Sequence, residues 1–370
     1  MAIASIELSQ FSAFADAEID FSPGINVLVG ANGTGKSHLM KLAYGTLRTF
    51  GVGRGRSTLK PVQELESKLA ELFQPDGLNV GRVVRRRVGK GGLGGGNNRA
   101  TVDIAFVRGG HALFTLHTKG PQHVRLQTTP RARLGTAVFL PPHEMLTLGS
   151  AFVDLAREYE VPFDATYADA AAALGRPALK TRPAFIRDIE TRLLASLGGE
   201  VIREEGRFYV RLRGGGKMEA PLLAEGLRKL ASLIRLLQNG SIRRGSVLFW
   251  DEPETNLNPI LTNTIVETIN ELATHGVQVV LATHDYFVAS RLSLIGQKRP
   301  EKGRRRTRVR FIGLAVPDDS DADGTVLESP GVLVHEADQL EALPEALLVK
   351  ALIDHADFER SVVLKGALDR

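Results

Sequence analysis

The sequence predicts an α/β fold, a mixed central sheet with flanking helices that carries a helical subdomain and an antiparallel β insertion. Three observations predict it. The apolar run Ile25 to Val29 leads through a glycine-rich stretch into a helical apolar face at Leu39, Leu42, Ala43 and Leu47, so the glycines lie on a strand-to-helix turn. Between Leu223 and Leu292 helical and strand patterns alternate, which implies parallel strands joined by crossover helices. Beyond a glycine-rich loop (GKGGLGGGNN), apolar and polar residues alternate through about residue 127, the pattern of antiparallel strands with one face on a core.

Taken in order, residues 3–8 and 17–21 read as paired strands, and Ile25–Val29 as a buried strand ending at Gly30. A helix follows from Lys36 to Leu47, then a second near 61–73, the stretch Val80–Val88 and the insertion. Thr136–Leu140 is a strand closed by Pro141-Pro142; 144–157 and 181–197 are helical, and 200–213 is a hairpin. Leu223–Leu237 reads as helix, Ser246–Trp250 as strand, Asn258–Ala273 as helix, Val277–Ala282 as strand and Asp285–Leu292 as helix. A hairpin around 307–334 and a helix near 343–357 complete the chain. The expected units are an N-terminal lobe (1–135), a helical subdomain with a hairpin (136–222), a C-terminal lobe (223–295) and a terminal hairpin and helix (296–370).

With 370 residues and 43% apolar content, the chain can bury a large core. It has no cysteine, which removes disulfides, thiolate zinc sites and cysteine nucleophiles and suits a cytoplasmic address. No run approaches the roughly 18 apolar residues that span a bilayer, so no membrane insertion is expected. The net charge of +5 is concentrated in two clusters, Arg82, Arg85, Arg86, Arg87 and Lys90, and Lys302, Arg304, Arg305, Arg306, Arg308 and Arg310. Both are candidates for nucleic-acid contact. Solvated hairpin edges that discourage strand pairing account for them equally well.

The chemistry concentrates in three places. Gly30-Ala31-Asn32-Gly33-Thr34-Gly35-Lys36-Ser37 fits the phosphate-binding pattern G-x-x-x-x-G-K-[ST] at every fixed position. Its glycines let successive N–H groups approach phosphate oxygens, and the following helix adds its positive end. Asn32, Gly33, Thr34, Gly35, Lys36, Ser37 and His38 are therefore the candidate ATP contacts, with Lys36 on the β- and γ-phosphates and Ser37 on Mg²⁺. Second, Val247-Leu248-Phe249-Trp250 delivers Asp251 and Glu252 at a strand end. Asp251 is the candidate Mg²⁺ carboxylate and Glu252 the candidate base for the attacking water. Third, His284 follows the next strand and could donate to the γ-phosphate or the water. Asp319, Asp321, Asp323 and Gly324 start a calcium-loop pattern, but the twelfth position is Pro330, which cannot supply the bidentate glutamate.

This order of motifs resembles the ABC-class ATPases, including the SMC and recombination-repair ATPases, and more closely the stand-alone bacterial predicted ATPases of defence and toxin–antitoxin settings. The resemblance is carried by FSPGINVLVGANGTGKSHLMKL, AVFLPPHEML, LLAEGLRKLASLIRLLQNG, LFWDEPETNLNP and QVVLATHDYF. It implies a P-loop NTPase fold of ABC type whose two sites form when ATP pairs two copies, as a homodimer or higher homo-oligomer, with a protein effector as further partner. It also implies that a helix start at Leu223-Ala224-Glu225-Gly226-Leu227 reaches the other copy's γ-phosphate through the Gly226 N–H. Ala224 departs from the serine of much of the class, which favours slow turnover or an ATP-held scaffold that keeps an effector in check. The glutamine that the class places after the strand 136–140 is absent, leaving His143 or Glu144 as its replacement.

Overall fold

The computed structural model describes residues 2–51, 59–86, 98–131, 134–299, 306–317 and 331–344. The glycine loop after Val88, the acidic run Asp319–Gly324, the basic residues Arg87, Lys90, Lys302, Arg304 and Arg305, and all but the first two residues of the expected helix 343–357 lie outside them.

Strands β1 (Ile3–Phe11) and β2 (Phe14–Asp20) pair antiparallel, and β3 (Ile25–Gly30) runs into the phosphate-loop helix α1 (Lys36–Phe50). After α2 (Pro61–Phe73) come β4 (Arg99–Phe106), β5 (Gly110–His117) and β6 (Val124–Thr128), which join β1 and β2 in a five-stranded antiparallel sheet of order β2-β1-β4-β5-β6. No strand forms at the described residues 80–86. Asn79 accepts a hydrogen bond from the Gly81 N–H and starts a short 3₁₀ turn, Val80–Val83, before Val84 bridges to Phe11. A side chain that competes for backbone groups favours turns over ladders.

β7 (Ala137–Leu140) precedes three helices, α3 (Gly149–Glu158), α4 (Ala165–Leu174) and α5 (Ala184–Leu197). A three-stranded sheet of β8 (Gly199–Glu204), β9 (Arg207–Leu212) and β10 (Gly216–Glu219) follows, then α6 (Glu225–Gln238). α4 is additional to the helices that the sequence predicts. Asp164 caps it by accepting from the Thr166 N–H, and its ion pair with Lys41 (2.8 Å) and the Tyr44–Asp169 hydrogen bond (2.7 Å) tie it to α1.

The chain then alternates as expected: β11 (Val247–Asp251), α7 (Pro259–Thr274), β12 (Gln278–Thr283), α8 (Tyr286–Gln297), β13 (Val309–Ala315) and β14 (Leu333–Ala337). The central sheet has six strands in the order β14-β13-β3-β12-β11-β7, parallel except for β14. Every residue of β3, β11 and β12 is buried, as expected for parallel strands covered on both faces. Alternate residues feed two cores: Val27, Leu248, Trp250 and Leu281 pack on the side of α5–α7, whereas Leu28, Phe249 and Val280 pack against α1 and the antiparallel sheet. Buried Gln278 stitches the sheets together, accepting from the Ile3 N–H and donating to the carbonyls of Ile3 and Ser22.

The register decides the position of the site. Asp251 lies beside Ala282 and Thr283 beside Val29, so the ends of β3, β11 and β12 share one edge of the sheet, where open parallel sheets bind ligands.

Candidate nucleotide-binding site

The phosphate loop is built around left-handed glycines. Gly33 has φ +82° and Gly35 φ +91°, a region that side chains disfavour. At Gly35 a Cβ would also meet Phe14 Cε2 at 3.0 Å and Ala13 Cβ at 3.3 Å. α1 therefore starts without a capping side chain and without an acid in its first turn. Its leading N–H groups and positive end are free to take an anion. Asn32 and Gly33 are exposed at the loop, Thr34 is buried and its hydroxyl donates to the Ala31 carbonyl (3.0 Å).

Lys36 folds back across the loop, its Nζ donating to the carbonyls of Gly30 (2.7 Å) and Ala31 (2.9 Å). Burial lowers its pKa, against the opposing pull of Asp251 and Glu252. Ser37 Oγ donates to Asp251 Oδ2 at 2.8 Å. Burial raises the Asp251 pKa, with the Ser37 hydrogen bond acting the other way. A hydroxyl and a carboxylate oxygen facing each other at a helix start are a hard-oxygen pair suited to Mg²⁺.

Glu252 takes a left-handed backbone, φ +48°, which turns it off the line of β11. Its N–H donates to the Ala282 carbonyl (2.9 Å) and its Oε2 accepts from Thr255 Oγ1 (3.1 Å). His284 Nδ1 lies 3.6 Å from Glu252 Oε1 and 3.9 Å from Glu254 Oε1. The structure thus brings Lys36, Ser37, Asp251, Glu252 and His284 to one edge. His38 faces another way: its ring lies edge-on to Phe73 (centroids 5.3 Å) and its Nδ1 is 2.5 Å from Ser12 Oγ. Phe11 and Phe14 are fully buried core residues.

Of three neighbours, Glu254 and Asn256 lie in the run 254–259 that the resemblance places along the subunit boundary, and Lys229 was not singled out from the sequence. Glu254 is buried, its Oε1 accepting from Thr283 Oγ1 (2.6 Å) while its Oε2 is buried without a hydrogen bond. Burial raises its pKa, opposed by the Thr283 hydrogen bond. Asn256 Nδ2 donates to Glu225 Oε2 at 2.7 Å, and Lys229 reaches the same loop from α6. Glu254 and Asn256 close the polar stretch DEPETN directly after an apolar strand. Glu144 is held by the Arg228 guanidinium (2.7 Å) and the Leu146 N–H, and His143 is exposed 3.9 Å from Glu225.

Gly226 sits in the first turn of α6, which Ala224 leaves without a side-chain cap. The glycine is there for closeness: a Cβ would meet Leu257 Cδ2 at 3.0 Å and the Asn256 carbonyl at 3.2 Å. The helix start is thereby pressed against the loop that follows Glu252.

A family model described as "AAA domain, putative AbiEii toxin, Type IV TA system" matches residues 107–290, and one described as "AAA domain" matches residues 5–42. The fold matches the SmcHead bound to the C-winged helix domain of ScpA with a TM-score of 0.53 at 14% identity, over 92% of this chain and 99% of that one. The chain has an SMC-head-like P-loop NTPase fold. A Pyrococcus furiosus Smc head domain with an extended coiled coil matches at a TM-score of 0.50 and 13% identity, over 97% of this chain and 99% of that one. DNA replication and repair protein RecF of Paenarthrobacter aurescens (strain TC1) is 32% identical over 104 residues, 24% of this chain and 25% of that protein. RecF of Heliobacterium modesticaldum is 46% identical over 41 residues, 11% of each chain. The match therefore spans a quarter or less of these curated relatives. Among the described residues, no helix is long and apolar enough to cross a membrane.

Proposed function

We propose that the chain binds and hydrolyses Mg-ATP between two of its copies, and that this cycle switches a protein effector in bacterial defence or a toxin–antitoxin system. The observation that carries the hydrolytic reading is the shared edge of β3, β11 and β12, with Lys36, Ser37, Asp251, Glu252 and His284 around one space. Lys36 exchanges its loop carbonyls for the β- and γ-phosphate oxygens. Ser37 and Asp251 would hold Mg²⁺, which supplies charge neutralisation at the phosphates. Glu252 takes a proton from the water whose oxygen bonds to the γ-phosphorus, while the bond to the β–γ bridging oxygen breaks and ADP leaves. His284, exposed beside Glu252, orients the γ-phosphoryl group.

Pairing is supported by the surface around this edge. Leu222 (72% exposed), Ile260 (78%), Tyr286 and Phe287 are apolar and stand out at the starts of α6, α7 and α8. Exposed apolar groups near a charged site mark a contact surface. Gly226 would then offer its N–H to the other copy's γ-phosphate.

The test is hydrolysis by Glu252→Gln in steady-state and single-turnover assays. Loss of a well-placed general base is expected to slow turnover by about 10²- to 10⁴-fold with ATP still bound; undiminished turnover removes Glu252 from the mechanism. A wild type that binds ATP and pairs but barely turns over would favour the scaffold reading that Ala224 suggests.

A nucleic-acid role is favoured by one further observation. The opposite edge of the sheet holds a cavity of about 1240 Å³ lined by Arg244, Arg306, Arg308 and Arg310, with Asp20 and Asp338 also at its wall and Arg310 paired with Asp20 and Glu336. Nucleic-acid binding there weakens steeply with salt; salt-independent binding, or none, argues against it.

A further inference from the structure

Lys229 is 4% exposed, one turn into α6. Its ammonium reaches under the loop that follows β11, where Nζ donates to the carbonyls of Thr255 (2.7 Å) and Glu252 (3.3 Å). A buried cation is costly to keep unless it is paired and hydrogen-bonded, so a residue that served packing alone would be better apolar. The loop that it holds is under backbone strain. Glu252 (φ +48°) and Asn256 (φ +61°) are both left-handed without being glycine, a conformation that persists only where the surroundings enforce it. Within the loop itself the Thr255 N–H donates to the Glu252 carbonyl (3.2 Å) and the Leu257 N–H to that of Glu254 (3.0 Å). From outside, α6 grips it at three points: Glu225 on Asn256, Gly226 against Leu257, and Lys229 on Glu252 and Thr255.

We infer that Lys229 is a positioning residue that holds the Glu252 turn in its left-handed form and so makes the aim of the Glu252 carboxylate depend on the seating of α6. The inference deepens the hydrolytic reading and rests on it. Its consequence is a link within one copy: the helix whose start would meet the partner's nucleotide also fixes the base of its own site. Displacing α6 drags on the carbonyls of Glu252 and Thr255, and the base is aimed only when α6 is seated. Burial depresses the pKa of Lys229, while Glu225, Glu254, Glu252 and Glu144 around it act to keep it charged.

The test compares Lys229→Met, which keeps the apolar stem and removes the donors, with Lys229→Arg, which restores donors and charge. ATP affinity, kcat, KM and melting temperature are measured, with kinetics well below each melting point, and a crystal structure of Lys229→Met reports the Glu252 backbone. The expected result is a kcat at least about tenfold lower with KM and ATP affinity near wild type, partial recovery in Lys229→Arg, and a Glu252 φ that has left the positive region. A tenfold loss is about 1.4 kcal/mol of transition-state stabilisation. Wild-type kcat in folded Lys229→Met, or Glu252 still left-handed in its structure, overturns the inference. So does a loss of kcat matched by an equal loss of ATP affinity. If Lys229→Met does not fold, Lys229→Gln, which removes the charge and keeps a shorter amide donor group, is read by the same criteria. If the wild type itself hydrolyses no ATP, the hydrolytic reading fails separately, and the Glu252 backbone in the variant structure decides the positioning role alone.

Discussion

Two helices begin at this site without a capping side chain, and they are supported in opposite ways. α1 is wrapped by its own loop: Gly35 fits against Phe14, and Lys36 closes over the carbonyls of Gly30 and Ala31. α6 has no such loop. Ala224 provides no cap, Leu222 is 72% exposed just before it, and the helix start leans instead on Asn256 and Leu257. The first helix start is furnished with everything that a phosphate needs. The second offers bare N–H groups outward and is tied inward to the loop carrying Glu252, an arrangement that suits a sensor of something supplied from outside.

That contrast can be broken at either helix. Lys36→Ala should remove charge-assisted contacts to phosphate, each worth about 1.5–3 kcal/mol, and weaken ATP binding at least about tenfold by calorimetry, with pairing lost as a result. Gly226→Ala should leave ATP binding to the separate copy intact. The added methyl crowds Leu257 and the Asn256 carbonyl, and overpacking of about 1–3 kcal/mol is expected to weaken only ATP-dependent association, read by analytical ultracentrifugation. Equal losses of binding in both variants would erase the distinction.

The smallest expected effect is at Glu254. Its raised pKa means that the ionised form costs stability in the fold, a cost relieved as pH falls through the folded-state value. Glu254→Gln keeps an acceptor for Thr283 and removes the buried charge. It should melt higher than wild type at neutral pH, by about 1 kcal/mol in stability, and the difference should close toward acid pH. A gap that widens with acidification contradicts this account of the carboxylate.

The parts of the site that were legible in the sequence are those whose chemistry is written locally. The phosphate loop announces itself through glycines at fixed spacing between an apolar strand and a helical face, and Asp251 and Glu252 follow an unbroken apolar strand. Once the strands are parallel, those ends must meet. What was not legible is long-range or reverses a usual expectation. Lys229 looks like a solvated helix charge until α6 is laid against the loop after β11. Glu254 looks like one more loop acid, yet it is buried under Thr283. α4 is apolar nearly all round (ATYADAAAAL), so no stripe at helical spacing betrays it, and its position depends on Asp164 and Asp169 meeting α1. His38 belongs to the phosphate-loop run by position, but its side chain points to Ser12 and Phe73.

The central claim is that the site is completed by a second copy. It is tested most directly by light scattering during size exclusion of Glu252→Gln, at moderate salt, with and without ATP and Mg²⁺. The account predicts that ATP with Mg²⁺ doubles the mass, because binding persists while the hydrolysis that would separate the copies is blocked. A variant that binds ATP and remains a monomer would contradict it.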